Sequence, residues 1–351
     1  MKKTTSNSIK RNLTMTLSLM MTATMLASCG SGYDGSESRK SGSYNNERTT
    51  AENYRYSNVT AGDTDGTANI GGGYNTEEYN HLTENGYKLV SDEPLSTFST
   101  DIDTASYTNV RRMINDGWEV DPDAVRTEEF INYFKYDYEK PTEGAVSINT
   151  ELSDCPWNSE AKLMLVGLQA REAKVKDVPT NLVFLIDVSG SMEDEDKLPL
   201  VQQAFSMLAE NLGADDRVSI VTYAGSDSVV LEGESGDNSE EIVSALNSLS
   251  AGGSTAGAAG ITTAYKLAEE YFIEGGNNRV ILATDGDLNV GLSSEEELTD
   301  LISQKRDSGV YLSVLGFGSG NYKDNRLEAL ADNGNGNYAY IDSVDEAKRV
   351  L

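Results

Sequence analysis

Five polar side chains at three places along the chain have the residue types and spacing of a metal site built from oxygen ligands. They are Asp187, Ser189, Ser191, Thr255 and Asp285. The first three alternate in the stretch IDVSGSM, the fourth lies in the glycine-rich stretch GGSTAGAAG, and the fifth lies near the end of the stretch RVILATDG. Carboxylates and hydroxyls offer only oxygen atoms, which hard divalent cations such as Mg²⁺ and Mn²⁺ prefer.

The elements around these residues predict how they come together. From residue 181 onward, continuous apolar runs alternate with amphipathic helical patterns, which is typical of parallel strands covered by helices on both faces. The six strand-like runs are NLVFLID, RVSIVTYA, DSVVLEG, RVILATDG, VYLSVLGFG and NYAYID. We therefore predict an α/β fold with a doubly wound, mostly parallel, six-stranded, Rossmann-like sheet. Ligands of such sheets bind beyond the carboxyl ends of the strands, where strand order reverses. The five polar residues all follow apolar runs or precede helices, so their loops can meet at that edge.

The three motifs together resemble the von Willebrand factor type A domain, and the resemblance covers residues 179–351. That family has a metal-ion-dependent adhesion site made from an Asp-x-Ser-x-Ser motif, a Thr and an Asp. The resemblance assigns these roles to Asp187, Ser189, Ser191, Thr255 and Asp285. It implies a bound Mg²⁺ (or Mn²⁺) and a protein partner that offers an acidic side chain to the metal. The expected function is therefore binding of a protein partner, without enzymatic activity.

Two alternatives remain open at this point. The protein could be a scaffold or assembly factor whose metal site is idle. It could also be a magnesium-dependent hydrolase, although Ser189 stands where an Asp-x-Asp phosphatase would have its second acid. The single histidine of the chain, His81, lies in a polar segment far from the motifs, which argues against Ser-His-Asp chemistry and against a zinc site with histidine ligands.

The N-terminus has the features of an export signal. A basic segment precedes an apolar stretch that ends in LASC, residues 26–29. This ending resembles the lipobox of bacterial lipoproteins, which implies cleavage of residues 1–28 and acylation of Cys29. We therefore expect an exported protein that is anchored to the cell membrane or cell envelope by lipid. Residues 29–90 are poor in apolar residues and are predicted to form a disordered tether.

The charge of the chain limits its partners. It contains 28 basic and 57 acidic residues, for a formal net charge of −29. Removal of residues 1–28, which hold four basic residues and no acid, would leave 24 basic against 57 acidic residues. A surface of that sign repels nucleic acids and anionic lipid headgroups, so neither is expected to bind directly.

Residues 91–178 are predicted to form a small α+β region. We expect a helix from Thr104 to about Asn115 capped by Asp103, and a second helix that begins at Asp121. Two strands are expected at 145–152 and 162–170, and they are predicted to form a small antiparallel sheet. The stretch from PLSTFSTDIDTASYTNVRRMI through CPWN resembles the N-terminal region of bacterial lipoproteins of the YfbK type. That resemblance implies a further C-terminal part, absent from this sequence, that could pair with the two strands.

Overall fold

The computed structural model describes most of the chain beyond residue 75. The described ranges are 76–83, 85–97, residue 100, 102–171, 178–254, 257–286 and 295–351. Cys29, the export signal and most of the predicted tether therefore lie outside the described residues. Within the described ranges, no helix is long and apolar enough to cross a membrane.

Strands and helices alternate along the chain as the sequence pattern predicted. The helices of the described residues are α1 (Ala105–Asn115), α2 (Thr127–Tyr133), α3 (Leu198–Ala209), α4 (Ser239–Asn247), α5 (Gly257–Glu270), α6 (Glu295–Asp307), α7 (Asp324–Asn333) and α8 (Val344–Val350). The strands are β1 (Val146–Asp154), β2 (Lys162–Ala170), β3 (Thr180–Asp187), β4 (Arg217–Tyr223), β5 (Asp227–Ser235), β6 (Asn277–Thr284), β7 (Val310–Phe317) and β8 (Tyr338–Ile341).

The main sheet has six strands in the order β5-β4-β3-β6-β7-β8 within the described residues. All neighbouring pairs are parallel except β4 and β5, which are antiparallel. The chain runs outward from β3 through β4 to β5 and then returns to add β6 on the other side of β3. Strand order therefore reverses at β3, and the predicted mostly parallel, doubly wound sheet is confirmed.

Each face of the sheet buries its own apolar cluster. Val183 and Leu185 of β3 point to one cluster, which includes side chains of α5, α6 and α7. Leu182, Phe184 and Ile186 point to the other cluster, which includes side chains of α3 and α4. Burial on both faces explains why β3 is a continuous apolar run instead of an alternating one.

Helix α1 packs against the edge strand β8, and its start differs from the prediction. The helix begins at Ala105, after Thr104, without a side-chain cap. Asp103 does not cap it; its carboxylate accepts the backbone N–H of Tyr338 at 3.0 Å. The Thr108 hydroxyl donates to the Tyr340 carbonyl at 2.8 Å. Asp103 and Thr108 thus bond backbone groups of the edge strand β8, a pairing that the local sequence could not indicate.

The second predicted helix is divided into two elements. Asp121 does cap a short 3₁₀ turn, Pro122–Ala124, by accepting the Asp123 N–H at 2.9 Å. The backbone is then extended at Val125 and Arg126 before α2 begins. The break carries the Arg126 guanidinium to two buried carboxylates, Glu129 and Asp324. The prediction of a single continuous helix was therefore wrong, because the long-range ion pair between Arg126 and Asp324 outweighs local helix propensity.

Strands β1 and β2 form the predicted antiparallel pair, separate from the main sheet. One face of this hairpin is apolar and exposed: Val146 is 50% exposed, Ile148 68% and Met164 62%. Such a two-stranded ribbon is marginally stable in water on its own.

Candidate metal centre

Strand β3 delivers Asp187 to the carboxyl edge of the sheet. The side chain is 0% exposed although it is charged. Its Oδ1 accepts the backbone N–H of Ser189 at 2.8 Å, and its Oδ2 accepts the hydroxyl of Thr284, from the neighbouring strand β6, at 3.1 Å. Both carboxylate oxygens are thus held in fixed directions, and each retains a further lone pair for a cation.

Burial raises the pKa of the Asp187 carboxyl to about 6, because desolvation disfavours the charged form. Hydrogen bonds from Ser189 and Thr284 oppose the rise, whereas the negative charge of Asp285 adds to it. The fold therefore keeps a carboxylate where its charge is costly. A cation bound beside it would offset that cost.

Two hydroxyls follow Asp187 at the predicted alternate positions. A 3₁₀ turn, Gly190–Glu193, sets Ser189 Oγ and Ser191 Oγ 3.0 Å apart. Adjacent corners of an octahedron with metal–oxygen distances of about 2.1 Å are separated by roughly 3.0 Å. The two hydroxyls are hydrogen-bonded to each other, and the same spacing is compatible with two neighbouring ligands of one Mg²⁺ ion.

The glycine-rich loop runs beside this turn. The Gly252 N–H donates to the Val188 carbonyl at 2.8 Å, and the Gly190 N–H donates to the Gly253 carbonyl at 3.1 Å. Gly253 has a φ of +87°, a conformation that favours glycine. These contacts bring the residues just before Thr255 to the serine turn. Thr255 itself lies outside the described residues, so its role as a ligand stays a prediction.

Asp285 follows β6 and is 0% exposed, like Asp187. Its Oδ2 accepts the Asn321 side-chain N–H at 3.0 Å and lies 3.2 Å from the ammonium of Lys197. Lys197 Nζ also donates to Asn321 Oδ1 at 3.2 Å. Asp285 is thus part of a polar triangle contributed by three separate loops.

The sequence analysis did not identify Lys197 and Asn321. Lys197 ends the acidic run EDEDK, and Asn321 follows β7 in a glycine-rich stretch. Strand pairing could have indicated Asn321. Strands β6 and β7 are parallel neighbours, so the loop after β7 lies at the same edge of the sheet as Asp285. The Lys197–Asn321 contact joins residues 124 positions apart, a pairing that spacing alone does not indicate.

A short N-terminal segment, which we call the strap (residues 76–79), is bound to the loop 318–323 that carries Asn321. The Thr76 N–H donates to the Gly320 carbonyl at 2.8 Å, and Glu77 Oε1 accepts the Gly320 N–H at 2.9 Å. Glu78 and Lys323 form an isolated parallel bridge. The strap belongs to the range that composition assigned to the tether, yet it contacts a loop of the candidate centre.

The donor set fits a hard cation. Among the described residues, no group of three or more His, Cys, Asp and Glu side chains is arranged to hold a metal. A cation at this edge would therefore rely on hydroxyls together with two carboxylates. Three of the proposed ligands already lie close together. Asp187 accepts the Ser189 N–H, and the hydroxyl of Ser189 contacts that of Ser191. Soft or borderline metals favour sulfur or nitrogen ligands, which the side chains of Asp187, Ser189 and Ser191 do not offer.

Comparison with known sequences agrees with this architecture. Residues 181–350 match the family model described as von Willebrand factor type A domain, and residues 73–165 match one described as von Willebrand factor. The uncharacterized protein YfbK of Escherichia coli (strain K12) is 43% identical over 285 residues, which cover 79% of this chain and 50% of that protein. The uncharacterized protein sll0103 of Synechocystis sp. is 31% identical over 54% of this chain and 44% of that protein. The chain thus spans about half the length of these two curated relatives.

More distant relatives include the human inter-alpha-trypsin inhibitor heavy chain H3, 32% identical over 47% of this chain and 20% of that protein. Among solved structures, a von Willebrand factor type A protein from Catenulispora acidiphila has 16% identity and a TM-score of 0.42, covering 61% of this chain and 50% of that one. Proximal thread matrix protein 1 of the mussel byssus, with a zinc-occupied MIDAS motif, has 23% identity and a TM-score of 0.40, covering 49% and 44%.

The six-stranded fold, the Asp-Ser-Ser turn at its carboxyl edge and the family match lead to one assignment. The chain contains a von Willebrand factor type A domain, which spans residues 181–350.

Proposed function

We propose that this protein binds a protein partner through a divalent cation, Mg²⁺ or Mn²⁺, at the carboxyl edge of the sheet. Asp187, Ser189 and Ser191 would hold the ion together with Thr255 and Asp285. The observation that carries the proposal is the 3.0 Å separation of the Ser189 and Ser191 hydroxyl oxygens beside a buried carboxylate. The bound ion would supply a positive coordination position that accepts a carboxylate oxygen of the partner.

The charges of the site favour an acidic partner. Serine and threonine hydroxyls are neutral, and only Asp187 and Asp285 contribute negative charge to the proposed ligand set. Lys197, 3.2 Å from Asp285, offsets one of these charges. A divalent cation bound there would leave the site locally positive. An Asp or Glu of the partner would then be attracted to it.

Binding accounts for this edge better than catalysis does. The two oxygens of Asp187 are engaged by Ser189 and Thr284, which restrains the carboxylate from acting as a nucleophile. Ser189 stands where an Asp-x-Asp phosphatase would need a second acid. The single histidine, His81, lies beside Asp123 in the N-terminal region, with its side chain 83% exposed.

The metal step is tested by isothermal titration calorimetry of the metal-free protein with MgCl₂ and with MnCl₂. We expect one site, and we expect Asp187→Ala to abolish it and Thr255→Ala to weaken it. Ser248→Ala serves as a control, because Ser248 follows helix α4 and its hydroxyl donates to the carbonyl of Ala245 in the last turn of that helix. Absence of heat and of thermal stabilisation in the wild-type protein would refute the metal assignment.

The partner step is tested by capture from the organism's own cell envelope with Mg²⁺ or with EDTA. Capture should require Mg²⁺ and should be lost in a folded Ser189→Ala variant. A captured protein should lose binding when its contacting acid is changed to the amide. A partner that is retained equally in EDTA would show that another surface makes the contact and would favour the scaffold function.

We further propose that the protein is a lipoprotein anchored through Cys29 to the cell membrane or envelope. The support is the sequence LASC after a basic and then apolar segment. Two or three acyl chains anchor a protein firmly, whereas one chain binds only marginally. Cys29→Ala should release the protein from membranes or leave the precursor uncleaved. Unchanged fractionation together with unchanged mass would contradict the anchor.

A further inference from the structure

Lys197 carries a positive charge at the edge where the cation is expected to bind. It is 4% exposed and is the one buried lysine within the part of the chain that the structure describes. Its ammonium lies 3.2 Å from Asp285 Oδ2 and 3.2 Å from Asn321 Oδ1. Burial of an ammonium is costly unless a carboxylate accompanies it, so Asp285 is its counter-ion.

The backbone of two loops fixes the position of this ammonium. Lys197 directly precedes α3, and its N–H donates to the Asp194 carbonyl at 3.0 Å. Its aliphatic stem passes Gly318, where an added Cβ would overlap the lysine side chain. Gly318 has a φ of +73°, which favours glycine. The lysine therefore points to Asp285 because the loop after β7 leaves room for its stem.

We propose that Lys197 lowers the affinity of the site for its divalent cation, an inference that rests on the proposed function. In the metal-free protein, Lys197 neutralises one of the two buried carboxylates, Asp187 and Asp285. An incoming cation meets a site with one net negative charge instead of two, and the ammonium repels it directly. The Lys197 ammonium is buried, so salt screens its charge weakly.

The inference differs from a purely structural role for Lys197. If the lysine only held Asp285 in a productive position, its removal would weaken metal binding. If it acts as a competing charge, its removal strengthens metal binding and destabilises the metal-free protein, since Asp285 is left buried without its counter-ion. The two roles thus predict opposite changes in the dissociation constant for Mg²⁺.

The test compares wild type with Lys197→Met and Lys197→Gln by calorimetric titration with MgCl₂ and by thermal unfolding in EDTA and in Mg²⁺. Methionine keeps the apolar stem, and glutamine also keeps a hydrogen-bond donor for Asp285 if the methionine variant does not fold. We expect the Kd for Mg²⁺ to fall about tenfold or more in both variants, as a nearby unit charge implies. We also expect a lower Tm in EDTA that Mg²⁺ restores.

Lys348→Met is the matched control. Lys348 lies on helix α8, its side chain is 60% exposed, and it pairs with Asp345 of the same helix at 3.7 Å, so this variant makes the same change in net charge without removing the counter-ion of Asp285. Its Kd for Mg²⁺ should stay within about twofold of wild type, because exposed charges are screened.

The outcomes separate this inference from the proposed function. An unchanged or raised Kd in both Lys197 variants, with Mg²⁺ binding intact in wild type, overturns the inference alone. No Mg²⁺ binding in wild type or in either variant overturns the metal function and the inference together.

Discussion

Replacement of Asp187 by Asn should stabilise the metal-free protein. The carboxylate is completely buried, and desolvation raises its pKa to about 6 from an ordinary value of 3.8. An amide of the same shape removes the buried charge. Asn Oδ1 can still accept the Ser189 N–H, and its NH₂ can donate to the Thr284 hydroxyl, which rotates to accept it.

The magnitude follows from linkage between protonation and folding. A raised carboxyl pKa means that the folded state binds the proton more tightly than the unfolded state. The stabilising contribution of the protonated Asp187 carboxyl is therefore fully present below pH 3.8 and is lost as the pH rises through about 6. The difference between a pKa of about 6 and the ordinary value of 3.8 corresponds to about 3 kcal/mol at pH 8 and to about half of that at pH 5. Asp187→Asn should exceed wild type in stability by these amounts.

The assay is urea denaturation in EDTA at pH 8 and pH 5, read as the difference between variant and wild type so that other titrating groups cancel. Asp154→Asn is the control, because the Asp154 side chain is 85% exposed and its stability difference should be near zero at both values. In Mg²⁺ the order should reverse, since the variant loses a charged ligand and gains no stability from the ion.

Two outcomes would refute this reasoning. A metal-free Asp187→Asn protein that is less stable than wild type at pH 8 would show that the carboxylate is favourably solvated by its hydrogen bonds. A stability difference that does not change between pH 8 and pH 5 would show that protonation of Asp187 does not contribute to it.

Two further predictions concern the surroundings of the site. Arg126→Met should lower the free energy of unfolding by about 3–5 kcal/mol, because it leaves the carboxylates of Glu129 and Asp324 buried without their cation. The control is Lys162→Met, which removes one partner of an exposed ion pair. By the same urea titration it should lower the free energy of unfolding by less than about 1 kcal/mol. Gly318→Ala should lower the Tm more than Gly320→Ala does. Both glycines have a positive φ, 73° and 90°, but only at Gly318 does the added Cβ overlap the side chain of Lys197. Equal shifts in Tm would show that the lysine side chain moves aside without cost.

Much of the type A domain could be predicted from its sequence because burial leaves a direct record. Strand β3 is apolar at every position from 182 to 186, since both of its faces are covered. A polar residue at the end of such a strand must lie at the carboxyl edge of a parallel sheet. Asp187 and Asp285 were located in this way, and the structure places both there, buried, on neighbouring strands.

The remaining features depend on contacts between distant residues. Asp103 bonds Tyr338 instead of capping α1, and Arg126 leaves the helical path to reach Asp324. Neither partner lies within 190 positions of the other along the chain, so no local pattern indicates them. The tether over residues 29–90 stays a prediction, but its composition did not indicate that the strap bonds Gly320 or that Tyr79 packs against Val110 and Met113 of α1.

The same contacts connect the N-terminal region to the candidate centre. Glu77 of the strap accepts the Gly320 N–H, the next residue, Asn321, donates to Asp285, and Lys197 bonds both Asn321 and Asp285. Glu77 also pairs with Arg112 of helix α1 at 3.0 Å. The position of one proposed ligand thus depends on residues that precede the type A domain in the chain. The domain without its N-terminal region would lose the support of loop 318–323, which is why metal affinity has to be measured on the full chain.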